Sequence, residues 1–588
     1  MITSTTSKVI INKQTFKICL CFRRRFKLRA PDPPDDVKEL FKAYSENDYM
    51  TLENLVTFLK EIQGEESATN EEAQAIFDSL KHLKIFHRNG LHLDAFFRYL
   101  LGDLNLAHTS MVHHDMNAPL SHYYLFTGHN SYLTGNQLSS KSSVDPIIKA
   151  LKRGVRVIEL DLWPNSSKKD VEVRHGGTLT SPVALNYCLR AIKDNAFIAS
   201  EYPVVITFED HLSSDLQAKV AKMVTKTFGD MLYCPKSDYL LEFPSPESLK
   251  KRVLISTKPP EYRDSRHARN NKQKQDQDQS EDEENSGNKA PDNKDDDEDD
   301  QDDGEEDGDD QDEDEDHAVP EYKQLIAIHA WKPKGELQKW LADAVKVRRL
   351  SLSEQELENA AKTHGTDIVR FTQKNFLRVY PKGTRLNSSN YNPMLGWMHG
   401  AQMVAFNMQG HGKYLWIMQG KFRANGGCGY VKKPDFLLDV GPNNEVFDPK
   451  QTLPIKTTLQ VTVHMGEGWH SDFRHTHFDR FSPPDFYARV GIAGVPRDTV
   501  MKKTRAIEDQ WLPQWNEEFE FPLTVPELAL LRVEVMEYDT SGTSDFGGQT
   551  CLPLAELKTG IRAVPLYDRK GNKYRSVRLL MNFQFVNP

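Results

Sequence analysis

From Asp35 to Leu101, apolar side chains recur three and four residues apart, as in Val37-Leu40-Phe41-Tyr44, Leu55-Phe58-Leu59-Ile62 and Phe96-Phe97-Leu100. That period predicts a helical module. Between residues 116 and 260 the pattern changes to short apolar runs of strand type, alternating with helical stretches expected at Pro146 to Arg153, Leu185 to Ser200 and Asp215 to Phe228. Several of the runs end in polar residues: Tyr-Tyr-Leu-Phe-Thr-Gly-His129-Asn130, Val-Arg-Val-Ile-Glu159-Leu-Asp161, Pro-Val-Val-Ile-Thr-Phe-Glu209 and Val-Glu-Val-Arg-His175. Alternating strands and helices with polar strand ends predict an α/β barrel whose site lies at the C-terminal mouth. Lys258 stands where one such strand would end, and Gln324-Leu-Ile-Ala-Ile-His329 resumes the strand pattern. From Thr457 onward the runs alternate apolar and polar, at Leu459 to Val463, Phe486 to Val490, Glu518 to Pro522 and Leu531 to Val535. Helical periodicity is nearly absent there, which predicts a β-sandwich.

Residues 264–318 interrupt the barrel pattern with acidic, Gln and Asn content and no aromatic core formers, so this stretch is expected to be a disordered linker. Neither flank has enough strands to close alone, which favours one barrel split by an insertion over two separate domains. The formal charge of −10 hides this arrangement. Between Asp276 and Asp316 there are 25 acidic residues against two lysines, leaving 60 acidic and 73 basic residues elsewhere. The folded parts are therefore basic, with a net charge of about +13, and suit an anionic partner such as a phospholipid surface. No nucleic-acid-binding motif accompanies that charge.

The basic segment around Cys19-Leu-Cys21-Phe-Arg23-Arg24-Arg25 is expected to be a disordered arm, with an acylated anchor as the alternative. No signal-peptide core or membrane-spanning run is expected, and the six cysteines, without paired metal spacing, point to reduced thiols and a cytosolic compartment.

Glu159 and Asp161 are two residues apart, so a strand projects both from one face. Together with Asn130 and Glu209 they offer oxygen donors and no thiolate, a set that suits calcium rather than zinc. With two histidines nearby, the constellation suggests metal-assisted phosphoryl transfer. In the helical module, a loop with Gly90 at its sixth position would place Ile85, His87 and Phe96 at ligand positions, so this hand is expected to bind no calcium. In the sandwich, Asp485, Asp539 and Asp545 fall in expected loops, either as calcium ligands or as ordinary turn aspartates.

The chain resembles phosphoinositide-specific phospholipase C of the compact plant type. The resemblance rests on Ser-His-Tyr-Tyr-Leu-Phe-Thr-Gly-His129-Asn130-Ser-Tyr-Leu, Glu159-Leu-Asp161-Leu-Trp, His175-Gly-Gly-Thr-Leu-Thr-Ser and Phe-Leu-Arg378-Val-Tyr380-Pro. Ser-Ser-Asn-Tyr-Asn-Pro at 388–393 and Asn-Gly-Gly-Cys-Gly-Tyr at 425–430 extend it. After the basic arm (1–34), it implies an EF-hand-like helical segment (35–105), a TIM-type (β/α)8 barrel split into X (116–260) and Y (321–440) halves by an acidic linker (264–320), and a C2 β-sandwich (455–588). It implies calcium held by Asn130, Glu159, Asp161 and Glu209, and His129 and His175 acting on the phosphodiester. It further implies that Lys258, Ser351, Arg378 and Tyr380 grip the inositol and its phosphates. Where animal members carry two lysines, Ser256 and Lys258 stand here.

The expected activity is calcium-dependent hydrolysis of phosphoinositides, such as phosphatidylinositol 4,5-bisphosphate, to diacylglycerol and inositol phosphate through a cyclic phosphodiester. Glu159 is the candidate base and His175 the candidate acid. The expected protein is a monomer, cytoplasmic and peripheral at the plasma membrane, binding anionic lipids and no nucleic acid. A glycerophosphodiesterase and a non-catalytic lipid-binding scaffold are the alternatives.

Overall fold

The computed structural model describes residues 13–17, 23–27, 32–81, 90–237, 240–260, 319–331, 341, 346–479, 481–539 and 544–588. Residues 264–318 of the acidic linker, the expected hand loop before Gly90 and Cys19 with Cys21 lie outside these residues. The basic arm departs from expectation. Lys13–Lys17 and Arg23–Lys27 form an antiparallel ladder, with Thr15 opposite Arg25 and Phe16 opposite Arg24. The strand propensity of Thr15, Phe16 and Phe26 runs against the charge that suggested disorder.

Helices Asp35–Ala43, Leu52–Glu61, Asn70–Leu80 and Leu93–Leu100 form the first module. Capping boxes at Thr51 with Asn54 and at Thr69 with Glu72 satisfy main-chain donors that a helix start leaves open. The module's core, Val37, Phe41, Phe58, Phe96 and Leu100 among others, continues into Met465, Ile561 and Leu580 of the sandwich. Gln63 spans the boundary, its Oε1 accepting from the Ile561 N–H and its Nε2 donating to the Ile561 carbonyl, each at 2.7 Å.

Eight parallel strands make the barrel: β1 Tyr123–Gly128, β2 Val157–Pro164, β3 Val204–Asp210, β4 Val253–Thr257, β5 Ile326–His329, β6 Arg349–Ser353, β7 Phe376–Tyr380 and β8 Met403–Phe406. The sheet runs β6-β7-β8-β1-β2-β3-β4-β5, and a parallel bridge between Ala330 and Arg349 joins its two ends. Four strands lie on each side of the linker and pair across it at β8–β1 and β4–β5, so the halves form one barrel. Helices Val144–Lys152, Leu185–Asn195, Ser214–Phe228 and Glu354–Lys374 coat the outside, close to the expected bounds where these were stated.

The sandwich comprises β9 Thr457–Glu467, β10 Phe486–Ala493, β11 Val500–Lys503, β12 Gln514–Leu523, β13 Leu530–Glu537, β14 Phe546–Pro553, β15 Gly560–Tyr567 and β16 Lys573–Val586. Its order is β11-β10-β13-β14-β15-β16-β9-β12. A single residue pair, Gln549 with Tyr567, links β14 to β15, so two four-stranded sheets face each other across the core. The helix Lys413–Lys421 packs its Gly420 against Cys551, where an added Cβ would lie 2.4 Å from the cysteine Cβ.

Candidate active site

Strand register builds the site. Asp161 of β2 lies opposite Glu209 of β3, and Glu159 lies opposite Thr207. Ligand atoms of Glu159, Asp161 and Glu209 fall within 4.8 Å of one another. His129 and Asn130 follow directly on β1, and Asn130 takes a positive φ of 41°, a conformation Asn tolerates better than most residues. Its main-chain N–H donates to Glu159 Oε2 at 3.2 Å, which places this fourth expected ligand against the carboxylates.

Glu159 and Asp161 are buried, whereas the Glu209 side chain is 56% exposed at the mouth. Tyr132 donates its hydroxyl to Asp161 Oδ2 at 2.7 Å. Asp161 Oδ1 has no hydrogen-bond partner among the described residues although it is buried. Burial, then the charges of Glu209 and Glu159, push the Asp161 carboxyl well above the usual carboxylate range. An orphaned buried oxygen amid three crowded carboxylates fits a hard cation with oxygen ligands. His211 Nε2 lies 3.1 Å from Glu209 Oε1 while its ring stacks on Trp163 at 3.9 Å, which restrains the most exposed ligand.

Both histidines are held by Nδ1. His129 Nδ1 lies 2.9 Å from Asn407 Oδ1, and His175 Nδ1 lies 2.8 Å from the Gln137 carbonyl oxygen. Each partner accepts, so each Nδ1 carries the proton and each Nε2 is left for chemistry. Burial holds the His129 pKa below its ordinary value despite the Glu159 charge.

Of the remaining expected residues, Ser351 and Arg378 are register partners on β6 and β7, and Tyr380 closes β7. Arg378 donates from Nη2 to Glu159 Oε1, and both side chains are almost fully buried. Lys258 is exposed just beyond β4. Ser256 is buried, and its hydroxyl donates to the Ile328 carbonyl at 3.0 Å. In the sandwich, the Tyr538 N–H donates to the Asp485 carbonyl at 2.7 Å and the Glu537 N–H to the Asp545 carbonyl at 2.8 Å. These bonds draw the loops carrying Asp485, Asp539 and Asp545 to one end of the sandwich. Burial, then the charges of Asp545, Asp485 and Asp539, push Glu537 up to about 7.

Tyr132, Asn407 and His211 were not expected as parts of the site. Nor was a second cluster, His113, His114 and Glu556, with ligand atoms within 4.8 Å. There, Lys432 N–H donates to His114 Nδ1 at 3.2 Å, so His114 Nε2 bears the proton it gives Glu556 at 2.9 Å. That bonding makes the cluster a clamp between barrel and sandwich rather than a metal centre.

Known proteins match this architecture domain by domain. The family description "Phosphatidylinositol-specific phospholipase C, X domain" matches residues 116–259, the corresponding Y domain 326–436, a C2 domain 457–568 and the efhand-like domain of the same enzymes 33–105. Phosphoinositide phospholipase C 2 of Arabidopsis thaliana is 61% identical over 584 residues, covering 98% of this chain and 100% of its own. The chain belongs to the phosphoinositide phospholipase C family. The mouse 1-phosphatidylinositol 4,5-bisphosphate phosphodiesterase delta-3 is 33% identical over 96% of this chain and 69% of its own. The crystal structure of L. pealei PLC21 superposes with a TM-score of 0.73 at 26% identity, covering 94% of this chain and 69% of that one. This phospholipase C is an enzyme of phosphoinositide hydrolysis with a C2 domain, and among its described residues no helix is long and apolar enough to cross a membrane.

Proposed function

We propose that this phospholipase C cleaves phosphatidylinositol 4,5-bisphosphate and related phosphoinositides in a calcium-dependent reaction at the cytosolic face of the plasma membrane, acting as a monomer. The observation that carries the reading is the Glu159, Asp161 and Glu209 cluster with its unpartnered Asp161 Oδ1, set beside two histidines whose Nε2 atoms are free for proton transfer.

Asn130, Glu159, Asp161 and Glu209 would hold calcium, whose charge lowers the pKa of the inositol 2-hydroxyl and offsets charge developing on the phosphate. Glu159 takes the 2-hydroxyl proton as that oxygen attacks phosphorus. His175, protonated at Nε2, gives its proton to the departing diacylglycerol oxygen. His129 acts from Nε2 on a phosphate oxygen. Because burial favours its neutral form, the bound phosphodiester's negative charge is what draws a proton onto it. Water then opens the five-membered cyclic phosphodiester: His175 Nε2 accepts the water's proton as its oxygen bonds to phosphorus, and Glu159 returns its proton to the departing inositol 2-oxygen. Lys258, Ser351, Arg378 and Tyr380 bind the inositol ring and its phosphates, and Asp485, Asp539 and Asp545 would hold a second calcium ion at one end of the C2 domain.

Phosphorus NMR of the reaction on phosphatidylinositol tests the sequence of steps. A cyclic phosphodiester signal that precedes or accompanies the acyclic monoester is expected. An acyclic product from the earliest time points, with no cyclic species in wild type or in His175→Ala, would contradict the intramolecular attack.

A further inference from the structure

Both histidines and the amide ligand converge on Gln137, in the loop that follows β1. Its side chain is buried and fully engaged. Oε1 accepts from Asn130 Nδ2 at 2.9 Å, and Nε2 donates to Asn407 Oδ1 at 3.0 Å and to Ser388 Oγ at 2.8 Å. Its carbonyl oxygen is the acceptor for His175 Nδ1, and its own N–H is fixed by the Leu386 carbonyl at 2.9 Å. Ser388 spends its hydroxyl proton on the Gly135 carbonyl at 2.7 Å, so toward Gln137 it can only accept.

These bonds have one consistent polarity. An Asn130 amide that turns its oxygen to a cation must turn its NH2 to Gln137 Oε1. Gln137 must then present its NH2 to Asn407, and Asn407 must present its oxygen. That oxygen can receive His129 only as an Nδ1–H, which leaves the lone pair on Nε2. Reversing any amide would set two donors or two acceptors face to face in a buried site. The orientation of a metal ligand and the tautomer of a catalytic histidine are thus one choice, made through Gln137.

We propose that Gln137 is a positioning residue that sets the ligand face of Asn130 and the tautomer of His129 through one chain of oriented amides, while its main-chain carbonyl fixes His175. The proposal rests on the functional reading above for what the two histidines and Asn130 do. Partners of this kind behind metal ligands and histidines typically alter affinity or activity about 10- to 100-fold when removed.

The experiment compares wild type with Gln137→Met and Gln137→Glu, the latter the same shape but with an acceptor where Nε2 donates. Ring-nitrogen shifts of selectively labelled histidines, assigned with His129→Asn and His175→Asn, report tautomers without turnover, and phosphatidylinositol cleavage is measured against free calcium. Gln137→Glu at pH 8 is expected to turn the Asn407 amide and move His129 from Nδ1–H to Nε2–H. His175 should stay Nδ1–H in both variants because its partner is main chain. Gln137→Met is expected to lower kcat and raise the half-saturating calcium, each about 10- to 100-fold, with KM for lipid little changed. An unchanged His129 tautomer in Gln137→Glu, or kcat and calcium response within twofold of wild type in both variants, would overturn the proposal. A wild type inactive on phosphoinositides would sink the functional reading, and the tautomer result would still decide the role of Gln137. If Gln137→Met fails to fold, the isosteric Gln137→Glu carries the test.

Discussion

Arg378 donates to Glu159 across the barrel axis, joining residues 219 positions apart from opposite sides of the acidic linker. The pair is nearly fully buried. Removing one partner of such a pair leaves an uncompensated buried charge, at a cost of about 3–5 kcal/mol. Arg378→Ala is therefore expected to lower both thermal stability and activity. In Arg378→Met combined with Glu159→Gln, stability should return toward wild type while activity stays lost. Thermal denaturation beside hydrolysis separates the two effects. An Arg378→Ala variant with wild-type stability would show that Glu159 does not depend on this partner.

What could be read from the residues alone was what is local. Strand period and strand-ended carboxylates depend on near neighbours, so the helices, the split barrel and the grouping of Glu159 with Asp161 were legible. The pairing of Arg378 with Glu159 was not, because each residue had a sufficient separate explanation as a phosphate binder and a metal ligand. Asn407 and Gln137 carried no signal, since a neutral amide is ordinary in sequence and gains meaning only from its partners. The ladder in the basic arm was missed because charge was weighed above the strand propensity of Thr15, Phe16 and Phe26.

Lys258 stands exposed beyond β4, and Ser256 turns its hydroxyl into the strand rather than the mouth. If a cation reads ring phosphates on this side, Lys258 is the residue placed to do it. Lys258→Ala should lose a charge-assisted contact worth about 1.5–3 kcal/mol on polyphosphorylated inositides, roughly tenfold or more in kcat/KM, and little on phosphatidylinositol. Equal losses on both lipids in a mixed-micelle assay would remove Lys258 from phosphate recognition.

The segment 276–316 attaches 25 acidic residues and two lysines to an otherwise basic protein. Repulsion from an anionic surface and competition for basic residues both disfavour docking. Deleting the segment should raise hydrolysis on anionic vesicles at low salt, and less at high salt, where the Debye length is about 8 Å or shorter. An unchanged rate on vesicles at every salt concentration would identify the segment as a passive spacer.

Glu537 is buried beside the C2 aspartates, with Oε2 unpartnered among the described residues and a pKa raised from 4.5 to about 7. The folded state holds a proton that the unfolded state releases, so this group's contribution to stability is fully present below about 4.5 and lost as pH rises through 7. Glu537→Gln should raise the thermal midpoint at pH 8 in calcium-free buffer and leave it unchanged at pH 4.5. A midpoint with the same pH dependence as wild type would show that the Glu537 carboxyl is not the source of the effect.

If the oxygen cluster at the barrel mouth holds calcium and the paired histidines carry the proton transfers, hydrolysis depends on calcium and on both imidazoles. Initial rates on phosphatidylinositol 4,5-bisphosphate in mixed micelles, titrated with free calcium, test it most directly. Wild type should be inactive in chelator and restored by calcium. His129→Ala and His175→Ala should fall about 10²- to 10⁴-fold at saturating calcium with unchanged thermal midpoints, and Asp161→Asn should need far more calcium. Wild-type turnover that persists in chelator would rule out calcium at the carboxylate cluster, and near-normal turnover by His175→Ala would remove His175 from proton transfer.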